Sequence, residues 1–205
     1  MNMALALFLA SALAFATPAN NPGGWLSDRD YPADALQRRE EGTVGFRLLI
    51  SPTGRVGRCD VTQSSNSADL DAATCAMIVG RSRFKPARDE TGQPSYNLYS
   101  GHLSWTLPGR APPRTRPPIP SPDMELTVRQ LPDGSREKTI RLIARFDATG
   151  QMVACEPSSS NLKEVRLARV GCAQAQALPV EIIKDNEGNA ISFIRGVNLL
   201  FKAEE

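Results

Sequence analysis

Val44, Phe46, Leu48 and Ile50 are apolar at every second position, the mark of a half-buried β-strand. Ser51-Pro52-Thr53-Gly54 follows with turn chemistry, proline presetting φ and glycine free to take a positive φ. Val56 to Val61 then reads as the returning strand. Ser67 suits a helix N-cap, and Leu70, Ala73, Met77 and Ile78 recur on one helical face. After Phe84, Lys85 to Pro94 reads as a loop. Tyr96 to Leu107 reads as a long final strand rich in β-formers. The expected order is strand, turn, strand, helix, loop, strand.

The same order recurs further on. Shifted by 96 residues, Ile50-Ser51-Pro52-Thr53-Gly54 meets Phe146-Asp147-Ala148-Thr149-Gly150, and Cys59 meets Cys155. Asp89-Glu90-Thr91-Gly92 meets Asp185-Asn186-Glu187-Gly188, and Leu103-Ser104-Trp105 meets Leu199-Leu200-Phe201. Cys75 meets Cys172 with one residue of slip, inside a segment expected to be helical from about Leu162 to Ala175. Agreement of unrelated landmarks on one offset points to two copies of one unit, at 28–107 and 123–205. The second copy adds a strand, Glu125 to Leu131, before the turn Pro132-Asp133-Gly134.

Between the copies, Pro108 to Pro122 holds seven prolines in fifteen residues. Such a stretch can join neither a sheet interior nor a helix, so 108–122 is expected to run as an extended polyproline II linker. A proline-rich ligand for SH3-like partners is the alternative.

At the N-terminus, Met3 to Ala16 is uncharged, almost wholly apolar, and closes on Ala14-Phe15-Ala16. A short apolar region ending in a small-x-small triplet resembles a secretory leader, so 1–16 is expected to direct export and the mature chain to begin near Thr17. No Lys or Arg precedes the run. A retained anchor is the competing reading, yet about 14 helical residues span only ~21 Å of a ~30 Å hydrocarbon core. A buried N-terminal helix is the third.

Export decides how the four cysteines are read. In an oxidising compartment an even number argues for disulfides. Cys59 sits on a returning strand and Cys75 on the following helix, with Cys155 and Cys172 in the matching places. A helix packed across its own sheet brings such positions together, so the expected bridges are Cys59–Cys75 and Cys155–Cys172. Each would stabilise its small unit by about 3 kcal/mol. A four-cysteine zinc site would require closer spacing, and no C-x-x-C occurs.

Composition adds exclusions. Hydrophobic residues make up 41%, charged residues 22%, and the formal net charge is +2 with its cations scattered. That is a globular composition without the clustered basic and aromatic footprint of a nucleic-acid binder. His102 is the only histidine, and no nucleophile-elbow, zinc-protease or phosphate-loop motif is present. Asp89-Glu90 could pair carboxylates for acid–base work, but their place beside a turn glycine favours a solvated loop. Neither an enzyme nor a cofactor or metal site is expected.

Tyr31-Pro32, Ala35, Gly42, Val44, Gly54-Arg55-Val56, Cys59, Val61 and Ser64-Ser65 form one set of landmarks. It continues through Leu70-Asp71, Ala73, Cys75, Arg83-Phe84, Pro86-Ala87, Asp89, Gly92 and Pro94. This set resembles the TonB C-terminal domain family, in its cysteine-bearing exported branch, over about Tyr31 to Leu107. The second unit keeps the Thr-Gly turn, both cysteines and the Asp-x-x-Gly loop. It lacks the Tyr-Pro opening and the Phe-x-Pro-Ala run, and so reads as a diverged copy.

The resemblance implies an α+β fold, two tandem units each with a small antiparallel sheet and a helix packed on it. It also implies binding of a short peptide segment of outer-membrane transporters by strand addition. The edge expected to do this is the final strand of the first unit, with Tyr96, Leu98, Tyr99, His102, Leu103 and Trp105. A plain core strand, or an edge capped by the other unit, is the alternative. Full energy transducers of the family carry a spanning helix and a proline-rich spacer ahead of the domain. Neither stands there in this sequence, so a periplasmic protein that binds without pumping is expected, with peripheral membrane association as a variant. A structural or homo-oligomerising envelope protein, or a cell-wall binder, is the other class.

Overall fold

The computed structural model describes residues 12–110 and 121–204. Most of the proline-rich linker and the first eleven residues of the expected leader lie outside these. The described residues open with a two-residue strand, β1 (Thr17–Pro18), and then a short helix, α1 (Ala33–Gln37). The first half then follows β2 (Gly42–Ile50), β3 (Val56–Gln63), α2 (Ala68–Arg81), β4 (Phe84–Lys85), β5 (Ala87–Arg88) and β6 (Pro94–Trp105). The second half comprises β7 (Met124–Val128), β8 (Glu137–Phe146), β9 (Met152–Pro157), α3 (Leu162–Ala175) and β10 (Phe193–Ala203). This is the α+β class, and the sequence periodicities place all the main elements. The segment 85–94 differs, because β4 and β5 break what reads as a continuous loop.

Local chemistry accounts for the boundaries. Ser67 caps α2 by accepting from the Leu70 amide, and Asn161 caps α3 by accepting from the Lys163 amide. At the β2–β3 turn the Gly54 amide donates to the Ser51 carbonyl, with Gly54 at φ 77°. Aspartates close three later turns in one way. Asp89, Asp147 and Asp185 each accept from the amides two and four residues ahead, at 2.8–3.0 Å.

The main sheet runs β3-β2-β6-β10-β8-β9, so both halves contribute to one surface. Along this path the neighbouring strands within each half are antiparallel, and the halves take the same path. They join where β6 and β10 lie parallel, Tyr96 beside Phe193 and Asn97 beside Ile194. Each half has the small sheet with a helix packed on it that the resemblance implies, and the two sheets meet edge to edge. A proline-rich segment separates two units in sequence without dictating whether their final strands meet.

The two helices cover opposite faces. Along β10, Phe193, Val197, Leu199 and Phe201 pack with Leu167, Ala168 and Ala175 of α3, whereas Ile194 packs in the cluster containing Ile78 of α2. Along β6, Tyr96 and Leu98 join the α3 cluster and Tyr99 and Leu103 the α2 cluster. Strand alternation makes these opposite faces. The helix-free back of each half is partly covered by the rest of the chain. Arg58 donates to the Lys184 carbonyl behind the first half, while Leu13 and Ala16 are buried against Ile143 and Ile194 of the second.

Leu13 and Ala16, inside the segment read from sequence as a leader, pack into the described structure: Leu13 is 7% exposed and Ala16 3%. A run of alanines and larger apolar residues suits an interior strand as well as a leader, and composition does not separate the two.

Candidate peptide-binding edge

Each half is held by its own disulfide. Cys59 on β3 is bonded to Cys75 on α2 with Cα atoms 5.5 Å apart, and Cys155 on β9 to Cys172 on α3 at 5.7 Å. All four cysteines are used, which removes the zinc reading. The bridges pin helix to outer strand and leave the inner strand of each half to meet other partners.

β6 is that inner strand in the first half. It pairs with β2 along its length, from Asn97 opposite Ile50 to Trp105 opposite Gly42. On its other side it meets β10 at Tyr96 and Asn97 only, and then the two strands diverge. From Leu98 to Trp105 that side has no strand partner among the described residues. The expected free edge is therefore interior at its start and open beyond it.

The six named residues divide accordingly. Tyr96 and Leu98 pack towards the second half, Tyr99 and Leu103 towards α2. Trp105 is core: its indole N–H donates to Thr74 Oγ1 at 2.8 Å and its ring meets Tyr31 edge-on at 5.2 Å. Burial pushes the Tyr31 phenol up from its ordinary range. Only His102 is exposed, between Ser100 and Ser104 on the face away from α2. Main chain, more than side chains, is what this edge offers. Alternation along β6 divides the six between the two faces of the sheet.

At the fork between β6 and β10 lies a cleft of about 530 Å³, lined by Leu98, Ser100, Arg195 and Asn198 among others. Asp123 closes its far side. Its carboxylate accepts from the Asn198 amide at 2.8 Å and from Arg195 at 2.7 Å, so the β10 edge is satisfied where β6 leaves it. Beyond, β7 pairs parallel with β10 from Leu199 to Ala203. Asp123 and β7 thus pair this side of β10 from Asn198 to Ala203, whereas β6 beyond Asn97 has no strand partner there among the described residues.

The carboxylates considered for acid–base chemistry have structural partners. Burial works to raise the Asp89 carboxyl, but hydrogen bonds from Thr91 and the Gln93 amide outweigh it and hold it below its usual range. Glu90 receives a bidentate pair from Arg145 of β8, whose guanidinium holds it below the usual carboxylate range. This ion pair ties the first half to the second, a role the sequence did not signal.

Taken together, the first half is a disulfide-pinned helix on a sheet whose inner strand is open along one side among the described residues. Residues 27–107 match the family model for the Gram-negative bacterial TonB protein C-terminal. The match stops before the proline-rich segment. Domains of this family are non-enzymatic interaction domains of the periplasm that generally contact outer-membrane transporters. No curated protein matches the chain. No helix among the described residues is long and apolar enough to cross a membrane.

Proposed function

We propose that this protein binds an extended peptide segment of an outer-membrane transporter by strand addition to β6, in the periplasm, without catalysing a reaction. The observation that carries the reading is the side of β6 from Leu98 to Trp105 that has no strand partner among the described residues, within the segment that matches the TonB C-terminal family model. An extended peptide laid there gains main-chain hydrogen bonds, while pockets beside alternate positions select its side chains. The cleft at the fork gives it room to enter. The second half, read as a diverged copy of the first, caps the start of the edge and so sets where pairing begins.

Hydrogen exchange tests the reading. Peptides copied from periplasm-facing segments of outer-membrane transporters are titrated onto the exported protein. Slowed exchange at amides within 98–105 is the expected result. Protection confined to the outer strands β3 or β9 would move the site there, and no protection with any peptide would favour the structural class.

A further inference from the structure

We propose that the export leader is cut between Ala12 and Leu13, and that Leu13 to Pro18 remains as a strap fastening the two halves together. Three overlapping small-x-small triplets offer themselves to a leader peptidase: Ala10-Ser11-Ala12, Ala12-Leu13-Ala14 and Ala14-Phe15-Ala16. Leader length favours the third, since ordinary leaders run about 15–30 residues. The fold favours the first.

The strap is held at every step. Ala14 exchanges two backbone hydrogen bonds with Arg88, each 2.9 Å, and Thr17 and Pro18 pair antiparallel with Lys85 and Phe84. On the other half, the Phe15 ring lies under the Arg141 guanidinium at 4.7 Å, and Leu13 and Ala16 pack against Ile143 and Ile194. The Ala16 amide donates at 2.6 Å to the side-chain oxygen of Asn97, a residue 1% exposed at the β6–β10 junction. A cut after Ala16 would strip this donor from a buried acceptor and bare the apolar back of the second half. A cut after Ala14 would remove Leu13 and the Arg88 pairing.

A cut after Ala12 leaves all of this in place and adds an interaction. The Leu13 nitrogen lies 3.2 Å from Glu156 Oε2. Hydrolysis of the Ala12–Leu13 bond by water leaves the carboxylate on Ala12 and the amine on Leu13. Protonated, that amine becomes an α-ammonium already facing the Glu156 carboxylate, and a neutral hydrogen bond becomes an ion pair. Cleavage takes place on the unfolded chain during export, before Leu13 is buried.

The test begins with the full chain, expressed with an export system and recovered from the envelope fraction. N-terminal sequencing is expected to read Leu13. A start at Phe15 or Thr17, or an intact Met1, overturns the cut. Separately, chains beginning at Leu13 and at Thr17 are released from a fusion and melted. The Thr17 chain is expected to melt about 10 °C lower, given the buried apolar surface and hydrogen bonds it lacks. Glu156→Gln should lower the midpoint of the Leu13 chain and leave that of the Thr17 chain unchanged. Equal melting of the two parent chains overturns the strap, and an unaffected Leu13 chain overturns the role of Glu156.

Discussion

Tyr96 of β6 lies beside Phe193 of β10 in parallel register, a separation of 97 residues, whereas Cys59 and Cys155 stand 96 apart. That single residue has a geometric consequence. Side chains alternate along a strand, so a shift of one sends corresponding positions to opposite faces. α2 therefore covers one face of the common sheet and α3 the other. Each half presents a helix-free back, which its neighbour's loops and the N-terminal strap partly close.

The junction has a polar centre that should be sensitive to substitution. Asn97 donates to the Ile194 carbonyl at 3.0 Å and accepts from Ala16. Asn97→Leu would leave the Ala16 amide without its acceptor and the Ile194 carbonyl without this donor. A loss of about 1–3 kcal/mol is expected in urea denaturation at neutral pH. The disulfides should be unaffected, so the same variant should still show no free thiol under denaturing conditions.

The two bridges should act independently. Cys59 and Cys75 close a loop in the first half, Cys155 and Cys172 one in the second, at sequence separations of 16 and 17. Replacing either pair by serine should cost about 3 kcal/mol, and the costs should add because the pairs share no partner. Denaturation of the two double variants and the quadruple one measures this. A shortfall in the sum would mean that the halves unfold separately.

Much of this architecture is legible in the residues themselves. Val44, Phe46, Leu48 and Ile50 alternate because one face of β2 meets α2, and all four are buried. Gly54 and the Asp-x-x-Gly loops announce their turns through chemistry that few other residues supply. What stays hidden is long-range. Leu49 breaks the alternation of β2, being buried by the second half, and Tyr96 gives no sign that it pairs with Phe193. Register between two strands nearly a hundred residues apart depends on both halves being folded, and no local pattern encodes it. Leu13 to Ala16 supports two readings, since small apolar residues suit a leader peptidase and a tight groove equally well.

The Arg145–Glu90 pair makes the joint between the halves acid-sensitive. Glu90 is held below its ordinary range in the folded protein, so it binds its proton less readily there than when unfolded. Its contribution is present above the unfolded value, about 4.3. It is lost as pH falls through the lower, folded value. Glu90→Gln should therefore destabilise the protein at pH 7, with a gap from wild type that closes in strong acid. Thermal melts of both proteins from pH 7 down to pH 2 follow that gap. Since Glu90 is partly solvent-exposed, the pH 7 difference should be modest and should shrink further in high salt.

Two glycines with similar backbone angles should respond very differently to alanine. Gly134 has φ 73° with no atom within 4 Å of where a Cβ would stand, so Gly134→Ala meets only the left-handed backbone penalty, about 1–2 kcal/mol. Gly54 has φ 77°, but its Cβ would lie 2.0 Å from the Phe84 carbonyl oxygen. That oxygen belongs to backbone and cannot swing aside, because the Phe84 amide is itself bonded to the Gly54 carbonyl at 3.0 Å. Phe84 also anchors Pro18 of the strap and packs edge-on against Tyr99 at 5.3 Å. Relieving the clash means moving β4 away from the β2–β3 turn, which disturbs the strap and the core beneath it. Gly54→Ala should cost more than about 3 kcal/mol in denaturation, against a much smaller loss for Gly134→Ala. Similar losses at both sites would mean that β4 can shift freely and that the strap's seat on it is loose.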